Sequence, residues 1–179
     1  RKASNRKPWE GGGPLAAGED QWPIVSASAI AYDKGWQVPH ALEEDEILQV
    51  IERFADAARR AERAGFDFIE LHAAHGYLIF QFLSPLSNQR TDRWGGSLEN
   101  RMRFVLEIAR AVRQAVPGLM IGTRLSVKEW VEGGFDVEDA IAVTKALKAE
   151  GIAYLCCSSG GNSPLQQLPS GPGYQVHLA

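Results

Sequence analysis

Four side chains in the middle of the chain carry groups that can do chemistry: His72, His75, Tyr77 and Arg124. The two imidazoles and the phenol fall within six residues. Histidines three apart can share a metal. In a regular strand Glu70 lies on the face of His72, so Glu70 could be a third ligand or a partner that orients His72. No cysteine and no further histidine lies nearby to complete a metal set. The pair could instead be packed as core or loop histidines. It could also aim two N–H donors at one oxygen, which polarises a carbonyl and stabilises an enolate; the weight falls on this substrate-binding reading, with no metal. A lone tyrosine is most often a packed aromatic with a satisfied hydroxyl, but just past two donors a phenol is a reasonable acid. Arg124 reads either as a structural ion pair or as a fixed cation facing a ligand. Ser158 and Ser159 are weaker candidates, since hydroxyls at strand ends commonly satisfy backbone groups.

The elements that must position these groups are legible around them. Phe66, Phe68, Ile69 and Leu71 form a short apolar run expected as a buried parallel strand over 66–72. A long polar loop follows, from Ser84 to Gly96, whose Asn88, Arg90 and Asp92 should hold it together with Asn100 and Arg101 of the next helix. Ser97 can cap that helix, expected over 97–115 and ended by Pro117-Gly118. A second strand is expected over 119–127 and a third over 152–158. Between them Asp136 can cap a helix from Val137 to Glu150. Before the first strand, Ile47, Val50, Ile51, Phe54, Ala57 and Ala58 recur at helical spacing within 43–63; Leu42 is a poor cap, and Gly65 a plausible stop. Residues 1–25 are expected to be loop, Ile24 to Tyr32 a short extended segment, and Val176 the start of another helix.

Composition narrows the class. A length of 179 residues favours one domain with enough apolar content for a core. The first residue is arginine and the opening reads as loop, so an internal piece of a longer protein is expected, cut at both ends. A net charge of −3 and a pI near 5.8 give no global reason to expect nucleic acid. No apolar run approaches the roughly 18 residues of a membrane helix, and no signal-peptide pattern opens the chain. The only two cysteines, Cys156 and Cys157, are adjacent within an apolar run; they are expected in the core of a reduced, cytoplasmic protein.

Strand and helix alternate in units of roughly 35–50 residues, the pattern of parallel βα repeats. No glycine-rich GxGxxG turn follows any strand, which disfavours an open dinucleotide-binding sheet. Instead the strands end in His72 and His75, Arg124 and Ser126, Ser158 and Ser159. Polar groups delivered to one rim by consecutive strands are what the site of a (β/α)₈ barrel requires. Three strands are too few to close a barrel of about 250 residues. The expected fold is therefore α/β: the central part, about three βα units, of a TIM (β/α)₈ barrel.

The stretches His72-Ala73-Ala74-His75-Gly76-Tyr77-Leu78, Gln81-Phe82-Leu83-Ser84-Pro85, Asn88-Gln89-Arg90-Thr91-Asp92 and Gly95-Gly96-Ser97-Leu98-Glu99-Asn100-Arg101 together resemble the Old Yellow Enzyme family of FMN-dependent NAD(P)H oxidoreductases. The two-histidine form, with Trp130-Val131-Glu132-Gly133-Gly134 and Gly171-Pro172-Gly173-Tyr174-Gln175, is similar to the bacterial branch containing xenobiotic reductase. The resemblance covers nearly the whole chain. It implies that 1–179 is a partial TIM-barrel FMN oxidoreductase domain, holding the fourth to sixth barrel strands, after a segment like Arg1-Lys2-Ala3-Ser4. It also implies an ene-reductase that reduces activated C=C bonds of α,β-unsaturated carbonyl compounds with FMN and NAD(P)H in a ping-pong cycle. By position, His72 and His75 match the pair that binds the substrate's carbonyl oxygen, Tyr77 the proton donor, and Arg124 the arginine at the flavin's pyrimidine edge, where a cation favours anionic reduced flavin. Phe80 stands where a polar residue is common and Trp94 where tyrosine is usual. The expected partner is a small enone-type molecule, with no nucleic acid and no membrane, and the full-length protein is expected to be a homo-oligomer. Two other readings stay open: the barrel portion of a larger flavin/iron–sulfur enzyme, such as a 2,4-dienoyl-CoA reductase or amine dehydrogenase, and a non-catalytic fragment.

Overall fold

Three parallel strands carry the site. In the computed structural model, which describes residues 2–6, 10–16 and 18–179, β3 (Phe68–Ala73), β4 (Met120–Ser126) and β5 (Tyr154–Ser158) form one sheet in the order β3-β4-β5. Ahead of them β1 (Val25–Ser26) pairs in parallel with β2 (His40–Ala41). The connections are α1 (Glu44–Arg63) before β3, α2 (Leu78–Leu83) and α3 (Leu98–Ala115) between β3 and β4, and α4 (Val137–Ala149) between β4 and β5. A 3-10 turn spans Val176–Leu178. Arg1, Lys7, Pro8, Trp9 and Ala17, within the expected opening loop, lie outside the described residues.

The helices begin where local chemistry satisfies their first N–H groups. Ser97 Oγ accepts from Asn100 N at 3.3 Å, and Asp136 accepts from Glu138 N at 3.0 Å and Asp139 N at 3.1 Å. The start of α1, which Leu42 left unexplained, is set by Glu43: the Glu46 side chain reaches back to the Glu43 N–H at 2.8 Å, the reciprocal contact of a capping box. At its other end Gly65 has a φ of +81° and lets the chain turn toward β3.

Side chains alternate across the sheet, so its two faces have different fates. Leu71, Ala73, Ile121, Thr123 and Leu125 are buried under the helices, in a core that continues through Ile47, Phe82, Phe104, Ile108 and Val143. Truncating Phe104 or Ile121 to alanine there would cost about 2–5 kcal/mol. The opposite face presents rows set by the register: Phe68 beside Met120, Glu70 beside Gly122 and Tyr154, His72 beside Arg124 and Cys156, then Ser126 beside Ser158. The Tyr154 ring lies over Gly122, 2.1 Å from where a Cβ would sit, so a larger residue there would push the ring aside. In a closed barrel such rows are the layers that fill the interior.

Three expectations are corrected here. β3 is not buried on both faces: Phe68 is 55% exposed, as is Met120 at 54%, because no described element covers the inner face of the sheet, and Phe66 precedes the strand at 61%. Cys156 is not core; it is partly exposed beside Arg124, while Cys157 on the other face packs against the core. The extended segment at Ile24–Tyr32 shrinks to two paired residues. At Val176, where a helix is expected to start, a 3-10 turn begins.

Candidate active site at the strand ends

His72 lies within β3, and the turn after that strand holds His75 by an interlock with the loop after β5. His75 has a φ of +58°, and Gly76 follows at +71°. A Cβ on Gly76 would lie 2.5 Å from both Asn162 Cα and Gly161 O, so only glycine admits this approach. Ser126 at the end of β4 completes the clamp: its Oγ accepts from His75 N at 2.9 Å and donates to Gly160 O at 3.0 Å. From β5, Ser158 Oγ lies 2.6 Å from His75 Nε2. The turn then leads into α2, the six residues Leu78–Leu83, a helix not expected from the sequence. Its Gln81 donates to Gly76 O at 2.7 Å.

The predicted residues converge. The His72 and His75 rings stand 5.2 Å apart between centroids, and Tyr77 lies 5.5 Å from His72. Tyr77 is 47% exposed, so its phenol is open to a ligand rather than packed away. His72 and Arg124 are register partners on neighbouring strands. Partial burial holds both histidines below their ordinary range. Arg124 and Lys2 press His72 further down against an opposing pull from Glu70; for His75, His72, Lys2 and Arg124 act in the same direction. At neutral pH both are therefore uncharged imidazoles, each with one N–H to give.

Glu70 turns to Arg124 rather than to His72. Its carboxylate accepts from Arg124 Nε at 2.8 Å. Among the described residues no three His, Cys, Asp or Glu side chains come together as a metal group. Arg124 is thus ion-paired, yet its two Nη groups have no hydrogen-bond partner among the described residues, and the side chain is 38% exposed. A half-open guanidinium with N–H groups to give, beside His72 in the same row, fits the electron-rich edge of a planar anionic ring such as a flavin's.

Several contributors were not singled out from sequence. Lys2 places its ammonium 5.2 Å from the Tyr77 ring and 5.8 Å from that of Tyr32, where burial lowers its pKa to about 8. Glu129 is fully buried after β4 and ties the rim together. It accepts from Ser84 Oγ at 2.7 Å, Asn162 Nδ2 at 2.6 Å and Phe135 N at 2.9 Å. A carboxylate between an apolar strand and Gly133-Gly134 was the available signal. The expected loop network is present: Asn88 Nδ2 donates to Phe82 O and Trp94 O, Arg90 to Asp92, Ala27 O and Leu42 O, and Arg101 to Leu83 O and Gly96 O. Asn100 contributes by accepting from Arg103. Phe80 and Trp94 are fully buried, packed against Phe135 and Phe104 respectively. Ser159 accepts from Gln175 Nε2 at 2.8 Å, which draws the Gly171–Gln175 motif to the end of β5.

Parallel βα units with polar side chains gathered at the carboxyl rim define part of a (β/α)₈-barrel oxidoreductase scaffold. Residues 9–163 match the NADH:flavin oxidoreductase / NADH oxidase family, and the chain belongs to it. Members of that family use FMN and a nicotinamide nucleotide. An NADPH dehydrogenase of Halalkalibacterium halodurans is 48% identical over 157 residues, covering 88% of this chain and 46% of the relative. Among solved structures, a 2-naphthoyl-CoA reductase complex superposes with a TM-score of 0.78 at 32% identity, over 87% of this chain and 24% of that one. The old yellow enzyme homologue from Zymomonas mobilis gives 0.69 at 32% identity, over 76% and 42%. The chain spans about half the length of the curated relatives it matches. No described helix is long and apolar enough to cross a membrane.

Proposed function

We propose that this chain supplies the central βα units of an FMN-dependent NAD(P)H oxidoreductase that reduces activated C=C bonds of α,β-unsaturated carbonyl compounds. The observation that carries the reading is the convergence of two neutral histidines, an exposed phenol and a half-free arginine on one rim. His72 and His75 donate to the substrate's carbonyl oxygen and favour the charge that gathers there as the double bond is reduced. Tyr77 delivers the proton to the α-carbon. Arg124 holds the pyrimidine edge of the flavin, its own charge moderated by Glu70. FMN, when bound, supplies the hydride, with NAD(P)H as the electron source.

Three strands leave the inner face of the sheet open, so we read residues 1–179 as a partial barrel domain completed at both ends by a longer polypeptide. The unpaired thiols of Cys156 and Cys157 accord with a reduced, cytoplasmic setting. A homo-oligomer is the expected assembly of that longer protein.

The deciding experiment is stopped-flow measurement of both half-reactions in the purified protein that carries this chain, with cyclohexenone as oxidant. A yellow protein reduced by NAD(P)H and reoxidised by the enone supports the reading. A folded protein that releases no flavin on denaturation overturns it. A second reading is favoured by the TM-score of 0.78 to a 2-naphthoyl-CoA reductase of which the chain covers 24%. In that reading the barrel belongs to a larger flavin/iron–sulfur enzyme, and iron analysis of the same preparation separates the two.

A further inference from the structure

We propose that Ser158 is a positioning residue for His75: its hydroxyl donates to Nε2 and locks the imidazole in the Nδ1–H tautomer. The inference rests on the reading above that His75 donates to a bound oxygen. A neutral imidazole has one N–H, so which nitrogen carries it decides whether the ring can donate toward a ligand at all.

The geometry assigns the proton. Ser158 is buried at the end of β5, and its Oγ lies 2.6 Å from His75 Nε2. Among the described residues the Ser158 hydroxyl has no other acceptor, so were it to accept from an Nε2–H its own proton would be left buried and unpaired. The favourable arrangement is O–H donating to Nε2, which places the ring proton on Nδ1. That nitrogen has no hydrogen-bond partner among the described residues and is the one left for a ligand. The second serine does different work: Ser126 Oγ already donates to Gly160 O and accepts from His75 N, so it fixes the backbone at φ +58° and cannot choose the tautomer. Two neighbouring strands thus divide the task, β4 holding the main chain of His75 and β5 the ring. His72 has no such partner among the described residues; only the second histidine of the pair is locked.

The test is ¹H–¹⁵N correlation of the imidazole nitrogens at pH 7.5 in the flavin-loaded protein that carries this chain, with phenol titrated beside it. The wild-type His75 should appear as the Nδ1–H tautomer. Ser158→Ala should convert it to a mixture or to Nε2–H and weaken phenol binding about tenfold, the size of one lost hydrogen bond. Ser158→Thr, which keeps the hydroxyl, should restore both. An Nε2–H tautomer in the wild type, which needs no variant to observe, overturns the proposal; so does an unchanged tautomer in a folded Ser158→Ala protein. If the wild type shows the Nδ1–H form but binds no phenol, the lock stands and the substrate-binding reading of the histidines falls instead.

Discussion

Arg124 and Glu70 face each other across neighbouring strands, Nε to Oε1 at 2.8 Å, one row below and beside His72. The pair reconciles two readings of the arginine, structural ion pair and ligand-facing cation, since Nε serves Glu70 while the Nη groups have no hydrogen-bond partner among the described residues. It also commits the Glu70 carboxylate to Arg124, so that Glu70 reaches His72 only through its charge.

That relationship gives the first prediction. Arg124→Met should weaken FMN binding and lower the flavin's reduction potential, because a cation near the ring favours the anionic reduced form. Glu70→Gln should shift the potential the other way, since it unmasks positive charge. Redox titration of both variants checks this; an unchanged potential and affinity in Arg124→Met would remove the arginine from the flavin site.

The histidines and the tyrosine should separate kinetically. His72→Ala or His75→Ala each remove one donor, a loss on the order of 3 kcal/mol in binding of the reacting oxygen where its partner cannot compensate. Tyr77→Phe should leave phenol affinity nearly intact and slow enone reduction by roughly 10²–10⁴, with flavin reduction by NAD(P)H little affected. Single-turnover kinetics on the three variants decide it, and an unaltered oxidative half-reaction in Tyr77→Phe would mean that another group supplies the proton.

Charge crowding makes the rim pH-sensitive in a known direction. Lys2 titrates at about 8 in the folded protein against its ordinary 10.5, so between those values the unfolded chain holds more protons and stability should rise with pH. The lowered histidines act lower down: the unfolded state binds protons first, and stability should fall as pH drops below about 6.5. Denaturant unfolding of wild type and Lys2→Met across pH 7.5 to 10.5 provides the check, with a flatter profile expected for the variant.

Glu129→Gln should destabilise the protein by about 1–3 kcal/mol, because one buried acceptor becomes a donor aimed at other donors from Ser84, Asn162 and Phe135. Since Asn162 packs on Gly76, the variant should also loosen the histidine turn and weaken phenol binding. Thermal denaturation with phenol titration reads both effects; a Tm within a degree of wild type would argue that the network is dispensable.

Residues 1–179 expressed alone should neither bind FMN tightly nor turn over. Among the described residues β3 and β5 are open edges, and Phe68 and Met120 sit exposed on the inner face, an arrangement that invites association. Size-exclusion chromatography with flavin absorbance tests this directly, and a monomer loaded with flavin would contradict it.

What the sequence by itself determined is what is local. Helical periodicity and caps such as Ser97 and Asp136 act within one turn, so α1, α3 and α4 were legible to within a residue or two. The strand ends His72, Arg124 and Ser158 likewise announced a common rim, because alternation and parallel βα order are written along the chain. The tertiary structure decided what depends on distant approach. Glu70 pairs with Arg124 across 54 positions, His75 with Ser158 across 83, and Glu129 with Asn162 across 33. α2 was hidden for a related reason: its six residues are apolar nearly all round and buried against α3 and β1, so no amphipathic stripe marks it. Lys2 reaches Tyr77 only because the opening segment folds back over the turn after β3, a contact that no spacing rule encodes.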